Sequence, residues 1–153
     1  MDAVTYPDPK VSRLIGESFI PVQVNITHDD PHVKELIDRF NQMWTPTMIA
    51  LDENGKELRR TVGYVPPEEF VPELMLGLGM VKMQKKDFAG AHEIFQRVVN
   101  EHPNATDAAE GMYWSGVTAY KRDNNPDGLM THWKQLKEKF PDSPWWQKAS
   151  FIG

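Results

Sequence analysis

The 153-residue sequence contains no cysteine. Disulfide bonds, thiolate nucleophiles and cysteine-ligated metal sites are therefore excluded for this chain. An excess of positive charge is also lacking, because 22 acidic residues outnumber 17 basic ones and the net charge is −5. A nucleic-acid-binding protein normally carries a basic face, so nucleic acid is not a predicted partner. No run approaches the roughly 18 apolar residues of a membrane span, so no membrane insertion is predicted.

Catalytic and metal-binding patterns are equally scarce. There is no Ser-His-Asp order, phosphate-binding glycine loop or paired-acid arrangement. The segment His28–His32 contains two histidines and two aspartates, but its spacing fits a turn and helix cap better than a metal site. We therefore predict no cofactor and no metal. Three other histidines are interpreted as isolated surface residues on helices: His92, His102 and His132.

Twelve prolines punctuate the chain, and most of them mark the ends of predicted elements. In the first half, period-3.6 and period-2 apolar patterns alternate, which predicts a mixed α/β fold. Asp30 is a candidate helix cap, with proline at the first helical position. Asn54-Gly55 suits a tight hairpin turn. The predicted elements are a helix over 9–17, a strand over 19–26, a helix from Pro31 to about Asn41, and strands over 48–51 and 58–62.

The second half is predicted to be entirely helical. One helix starts near Pro67 and a second, amphipathic helix ends at His102-Pro103. A third begins at about Asp107 with Thr106 as its cap. The segment Asn124–Gly128 is rich in turn residues and predicts a loop. A fourth helix is predicted from Leu129 to Phe140, and a short last helix starts at Pro144.

The segment Trp44-Thr45-Pro46-Thr47 lies between a predicted helix and the predicted hairpin. This arrangement resembles the cis-proline loop of the thioredoxin fold. The resemblance implies a cis bond at Pro46, a Thr45 backbone that pairs with a bound peptide, and a groove wall at Trp44. The alternative is a trans proline that only ends a loop.

The resemblance extends over residues 1 to about 78. Met1–Val11 resembles the stretch after the Cys-x-x-Cys motif of bacterial thioredoxin-family proteins, and Tyr64–Phe70 resembles the entry to their closing helix. The strand that precedes the first helix in that family has no counterpart here. Two strands would then share an unfilled neighbour position, and their unpaired backbone groups need partners. We expect either that 19–26 pairs directly with 48–52, or that strands are exchanged with another copy.

The C-terminal part resembles tetratricopeptide repeats, in which small residues allow close helix approach, an aromatic side chain fills the gap, and proline ends the second helix. The alternative is a plain helical bundle without a peptide groove. One ring of the pair Trp145-Trp146 is expected to be exposed for a partner. The repeat-defining positions are Gly79, Ala91, Phe95 and Pro103 in the first copy, and Gly116, Tyr120, Trp133 and Pro141 in the second.

The predicted architecture is a truncated thioredoxin-like α/β domain over residues 1–78 and a tetratricopeptide-like all-α segment over 79–153. Three functions are compatible with it. The first is a non-catalytic module that binds a protein or peptide. The second is the C-terminal piece of a thiol-disulfide oxidoreductase with a Cys-x-x-Cys upstream of Met1, and the third is a unit that self-assembles through open strand edges. The chain itself predicts a cytoplasmic location, and an upstream segment would change this to the periplasm or envelope.

Overall fold

The structure is a computed structural model that describes residues 1–150. The chain divides into two compact units, Met1–Pro67 and Glu68–Gly153, which we call the first unit and the helical unit.

The first unit contains two helices, α1 (Pro9–Ser18) and α2 (Pro31–Arg39), and two strands, β1 (Thr47–Leu51) and β2 (Glu57–Val62). An aspartate caps each helix and a proline occupies the first turn. The Asp8 carboxylate accepts hydrogen bonds from the first backbone N–H groups of α1, and the Asp30 carboxylate does the same for α2. Because proline has no N–H to satisfy, it fits this position without loss. The predicted Asp30 cap is therefore confirmed.

The two strands form an antiparallel hairpin, as predicted. Met48 pairs with Thr61, and the register shifts between Ala50 and Leu51. Gly55 has a φ of 75°, a left-handed conformation that favours glycine. Within the turn, the Asp52 carboxylate accepts hydrogen bonds from two backbone N–H groups, 2.8 and 2.9 Å away. The Asn-Gly signal therefore identified both the position of the turn and the pairing of its strands.

The strand predicted over Phe19–Ile26 is not formed. Within residues 1–150 the sheet has two strands, so 19–26 does not pair directly with β1 either. Ile20 is 93% exposed and Val22 is 80% exposed. A period-2 pattern creates a strand only when a neighbour completes its hydrogen-bond ladder, and Pro21 contributes no N–H to one. The prediction of a strand here was wrong, because none of the described residues forms a strand beside the segment.

The helical unit is built from five helices: α3 (Pro67–Gln84), α4 (Phe88–Glu101), α5 (Ala108–Asp123), α6 (Pro126–Lys139) and α7 (Pro144–Ala149). Helix α5 occupies the middle, with α4, α6 and α7 packed against it. Its central position explains why small residues are buried along its length. One cluster in this core contains Val99, Ala109, Met112, Trp133, Leu136 and Ala149.

One helix start and one helix cap differ from the predictions. Helix α6 begins at Pro126, inside the segment interpreted as a loop, because the Asn125 side chain accepts a hydrogen bond from the backbone N–H of Asp127 and so caps it. Turn residues and helix caps share the same amino acids, so the pattern alone did not separate them. Thr106 does not cap α5. Its backbone N–H instead donates to the Glu69 carboxylate at 2.9 Å.

Candidate partner-binding sites

The proline loop joins α2 to β1. The predicted cis bond is present between Thr45 and Pro46. The carbonyl oxygen of Trp44 accepts hydrogen bonds from the Gln42 side chain and from the Thr47 hydroxyl. On the other side of the loop, the Gly63 N–H donates to the Pro46 carbonyl at 2.8 Å. The loop is thereby attached to the ends of both strands.

A groove of about 270 Å³ lies beside this loop. Its walls are largely apolar, and Met43 and Trp44 are 83% and 68% exposed. That volume is just below the roughly 300–1,000 Å³ typical of small-molecule pockets, so it suits one or two side chains better than a cofactor. The lining residues are Phe40, Asn41, Met43, Trp44, Thr47, Arg60 and Val62.

The one charged group in the groove lining is already paired. The Arg60 guanidinium donates to the Phe40 carbonyl at 2.7 Å and to both carboxylate oxygens of Glu57 at 2.6 and 2.8 Å. This hydrogen-bonded pair lowers the pKa of Glu57 and raises the pKa of Arg60. With its charge balanced locally, Arg60 organises the wall, and the groove offers apolar contact and backbone hydrogen bonds to a ligand.

In the helical unit, the first predicted repeat places Gly79 directly against Phe95. A Cβ atom added to Gly79 would lie 2.4 Å from Phe95 Cε1, so only glycine allows this approach of α3 to α4. Phe95 and Ala91 are fully buried. Pro103 lies at the surface in the turn after α4.

The second predicted repeat contains the same kind of contact. A Cβ atom on Gly116 would lie 2.9 Å from Trp133 Cδ1 and Nε1, which places α5 close to α6. Trp133 is buried, whereas Tyr120 on α5 is exposed. Pro141 lies at the surface in the turn after α6. A glycine on one helix and an aromatic ring on the next therefore recur in both helix pairs.

Comparison with protein families assigns the proline loop and the first helix pair to two different families. Residues 1–76 match the model of the thioredoxin-like domain, and residues 73–105 match that of the tetratricopeptide repeat. This chain carries a thioredoxin-like domain followed by a tetratricopeptide repeat. The matched repeat contains all four of the first-copy positions, Gly79, Ala91, Phe95 and Pro103.

Several similar proteins are bacterial thiol:disulfide interchange proteins named DsbD. The protein from Haemophilus influenzae strain PittEE is 31% identical over 71 residues, which cover 45% of this chain and 12% of that protein. The protein from Actinobacillus pleuropneumoniae is 32% identical over 69 residues, 44% of this chain and 12% of the relative. This chain thus spans about an eighth of the length of the relatives it matches. No solved structure matches the chain.

Beyond the matched repeat, aromatic rings connect α5, α6 and α7. Tyr113 stacks on Trp133, with ring centroids 5.1 Å apart, and contacts Trp145 at 5.2 Å. The indole N–H of Trp133 donates to the Tyr113 carbonyl at 3.2 Å, so this buried polar atom is satisfied. The contact between Tyr113 and Trp145 holds the short helix α7 against α5.

The two tryptophans of α7 are both half-buried at the edge of the core cluster. The Lys148 ammonium lies 3.8 Å from the ring centroid of Trp145, and the Lys137 ammonium lies 5.5 Å from that of Trp146. Each indole therefore packs against the core cluster and has a lysine ammonium over its ring. Neither ring is among the exposed apolar side chains, so the expected exposed ring is not found.

Two histidines that the sequence indicated as isolated lie together in the structure. The rings of His92 on α4 and His132 on α6 meet edge to face at 5.4 Å. His92 and His132 are both half-buried, so the interpretation of these two as isolated surface residues was wrong. No signal in the sequence connects the two, because the contact depends on how α4 and α6 pack beside α5. The described residues include no group of three metal-ligand side chains.

None of the helices within residues 1–150 has the length and apolar character needed to cross a bilayer.

Proposed function

We propose that this chain is a non-catalytic module that binds an extended peptide or protein segment in the groove beside its proline loop. The observation that carries the proposal is this exposed apolar groove in a thioredoxin-like domain that has no cysteine. Disulfide exchange needs a thiolate, so the scaffold can keep peptide recognition here but cannot perform the exchange itself.

The backbone beside the groove supports recognition of an extended chain. Thr45 is exposed, and among the described residues its N–H and C=O groups have no hydrogen-bond partner. A peptide that adds to such a backbone as a short strand gains main-chain hydrogen bonds, while pockets for alternate side chains provide specificity. Trp44 and Met43 would contact an apolar side chain of that peptide.

Fluorescence anisotropy with a short fluorescein-labelled peptide of alternating valine and threonine tests this proposal. We expect saturable binding, and Trp44→Ala should weaken it about tenfold, which corresponds to ~1.4 kcal/mol. Trp44 is mostly exposed, so its replacement should leave stability within about 0.5 kcal/mol of wild type. Met130→Ala, at an exposed position on α6, is the matched control. Equal affinities of wild type and Trp44→Ala would contradict the assignment.

The helical unit is proposed as a second contact surface. Tetratricopeptide repeats suggest protein–protein interaction, and this chain has one matched repeat. The exposed Tyr120 and the half-buried pair Trp145-Trp146 are its proposed contact residues. We propose a functional division into 1–78 and 79–153, with its boundary inside α3. Like the structural division after Pro67, it places Gly79 and its contact with Phe95 in the helical part.

A second candidate function rests on the similarity to the interchange proteins named DsbD. In that case the chain is part of a longer thiol-disulfide oxidoreductase of the periplasm or envelope, with a Cys-x-x-Cys motif before Met1. The intact mass of the native protein distinguishes the two. A mass near 17.6 kDa supports the cysteine-free binding module. A larger mass with two additional cysteines supports the oxidoreductase.

A third candidate function is self-assembly through open strand edges. It is favoured by the exposed apolar side chains of 19–26 and by the single neighbour of β1 within the described sheet. Light scattering across a concentration series should then show a dimer that Val22→Lys converts to a monomer. Met130→Lys, the matched control, should leave the dimer intact. A monomer at every concentration would exclude this function.

A further inference from the structure

The histidine pair lies where three helices of the helical unit meet. His92 projects from α4 and contacts α5, where its Nδ1 is 3.0 Å from the Ser115 carbonyl oxygen and 3.2 Å from the Thr118 hydroxyl. His132 lies on α6, with its Nδ1 2.7 Å from the Gly128 carbonyl oxygen. Because the two rings touch, the pair connects α4 to α6 beside α5.

These contacts determine which ring nitrogen carries hydrogen. A carbonyl oxygen can only accept a hydrogen bond, so Nδ1 is the donor in both rings. The neutral His92 ring therefore keeps its Nε2 lone pair, and a proton taken up by His92 must bind to that atom. No hydrogen bond to either Nε2 is present among residues 1–150, and no third metal ligand lies nearby within that range.

The surroundings of His92 disfavour a positive charge on its ring. The group is half-buried beside Thr118 and Ser115, both fully buried. From α5 it is faced by Arg122 and Asp123, which form an ion pair with each other, and from α6 by His132.

Burial is the main cause that lowers the pKa of His92 below its ordinary value of 6.5. The nearby Arg122 and His132 lower it further, while the hydrogen bond with Ser115 and the charge of Asp123 act in the opposite direction. A positive charge on His92 is therefore unfavourable in the folded state.

We propose that His92 and His132 form a proton-sensitive contact that holds α4 and α6 in place against α5 near neutral pH and weakens on acidification. Since the folded state takes up the proton on His92 less readily than the unfolded chain, stability is fully present above pH 6.5. It is lost as the pH falls from there through the lowered pKa. Acidification would thus loosen the second helix pair, α5 and α6, and the partner surface it carries.

Thermal unfolding of the full chain at pH 7.5 and 5.5 tests the proposal. Tryptophan fluorescence monitors the unfolding. Four of the five tryptophans lie in the helical unit. We expect the wild-type melting temperature to fall by roughly 5 °C on acidification. In His92→Asn, whose amide can still donate to Ser115, at least half of that fall should disappear. His28→Asn, at an exposed position in the first unit, is the control and should behave as wild type.

A second measurement, made first on the wild-type protein, keeps the test valid if His92→Asn fails to fold. Proton NMR follows the His92 ring through a pH titration and compares its midpoint with that of a peptide of residues 90–94. A lower midpoint in the protein, which rises in His132→Asn, supports the proposal. A midpoint equal to or above that of the peptide overturns it, and so does a lowered midpoint that stays unchanged in His132→Asn. So does an unchanged pH dependence of melting in His92→Asn.

Discussion

The contact between Gly79 and Phe95 leads to a sharp test, the substitution Gly79→Ala. The new Cβ would lie 2.4 Å from Cε1 and 2.6 Å from Cζ of the phenyl ring, far inside normal contact distance. Phe95 is fully buried, so the ring cannot swing into solvent to make room. Overpacking of a tight core typically destabilises by about 1–3 kcal/mol.

An opposing effect must be subtracted. Alanine favours a helix interior over glycine by about 0.8–1.0 kcal/mol, and Gly79 lies inside α3. The severe overlap places the clash in the upper part of its range, so the net loss should be about 1–2 kcal/mol. For a unit of this size each kcal/mol lowers the melting temperature by roughly 4–8 °C.

Urea denaturation followed by far-UV circular dichroism measures this loss in the free energy of unfolding. Gly16→Ala is the control: nothing lies within 4 Å of its added Cβ in α1, so only the helix-propensity gain should appear. Combining Gly79→Ala with Phe95→Leu should recover at least about 0.5 kcal/mol as coupling energy. A stabilising Gly79→Ala, or a double variant that is merely additive, would refute the close approach of α3 and α4.

Three further outcomes are expected in the helical unit. Trp133→Ala should destabilise it by about 3–5 kcal/mol in urea denaturation, because it empties a buried site and removes the stacking on Tyr113; a loss below 1 kcal/mol would contradict that burial. Asn125→Ala should lower the free energy of unfolding by about 1 kcal/mol through loss of the α6 cap, whereas Asn125→Asp should retain most of it. The hydrogen bond from Lys82, together with one from a backbone N–H of α4, lowers the pKa of Asp87. The stabilising contribution of the Asp87 carboxylate should therefore be complete above pH 3.8 and disappear as the pH falls through the lowered pKa. An acid-unfolding midpoint that is unchanged in Asp87→Asn would contradict this.

Predictions from the sequence were mostly correct where the deciding interactions join residues close together in the chain. The Asp30 cap and the Asn54-Gly55 turn were predictable because each depends on atoms a few residues apart. The start of α6 was missed although it is also local, because Asn125 and Pro126 are as typical of a loop as of a helix cap. Local signals therefore located most element boundaries, and failed where two local structures use the same residues.

The proline loop was predictable in position but not in surroundings. The order of helix, Trp44-Thr45-Pro46-Thr47 and hairpin was sufficient to indicate the loop. The groove depends in addition on Arg60, which β2 brings to the end of α2, where its guanidinium bonds the Phe40 carbonyl. Pairing of β1 with β2 created that contact, and no periodicity in the sequence reports it.

The sequence by itself determined that this chain has no thiol, and it determined the caps, the hairpin and the apolar faces of the helices. Composition and short-range contacts are properties of the chain alone. The tertiary structure decided whether 19–26 became a strand, which glycine meets which ring, and that His92 and His132 touch. Each of these depends on a neighbour distant in sequence. A strand without a partner cannot complete its hydrogen bonds, and a histidine acquires a shifted pKa only from what packs around it.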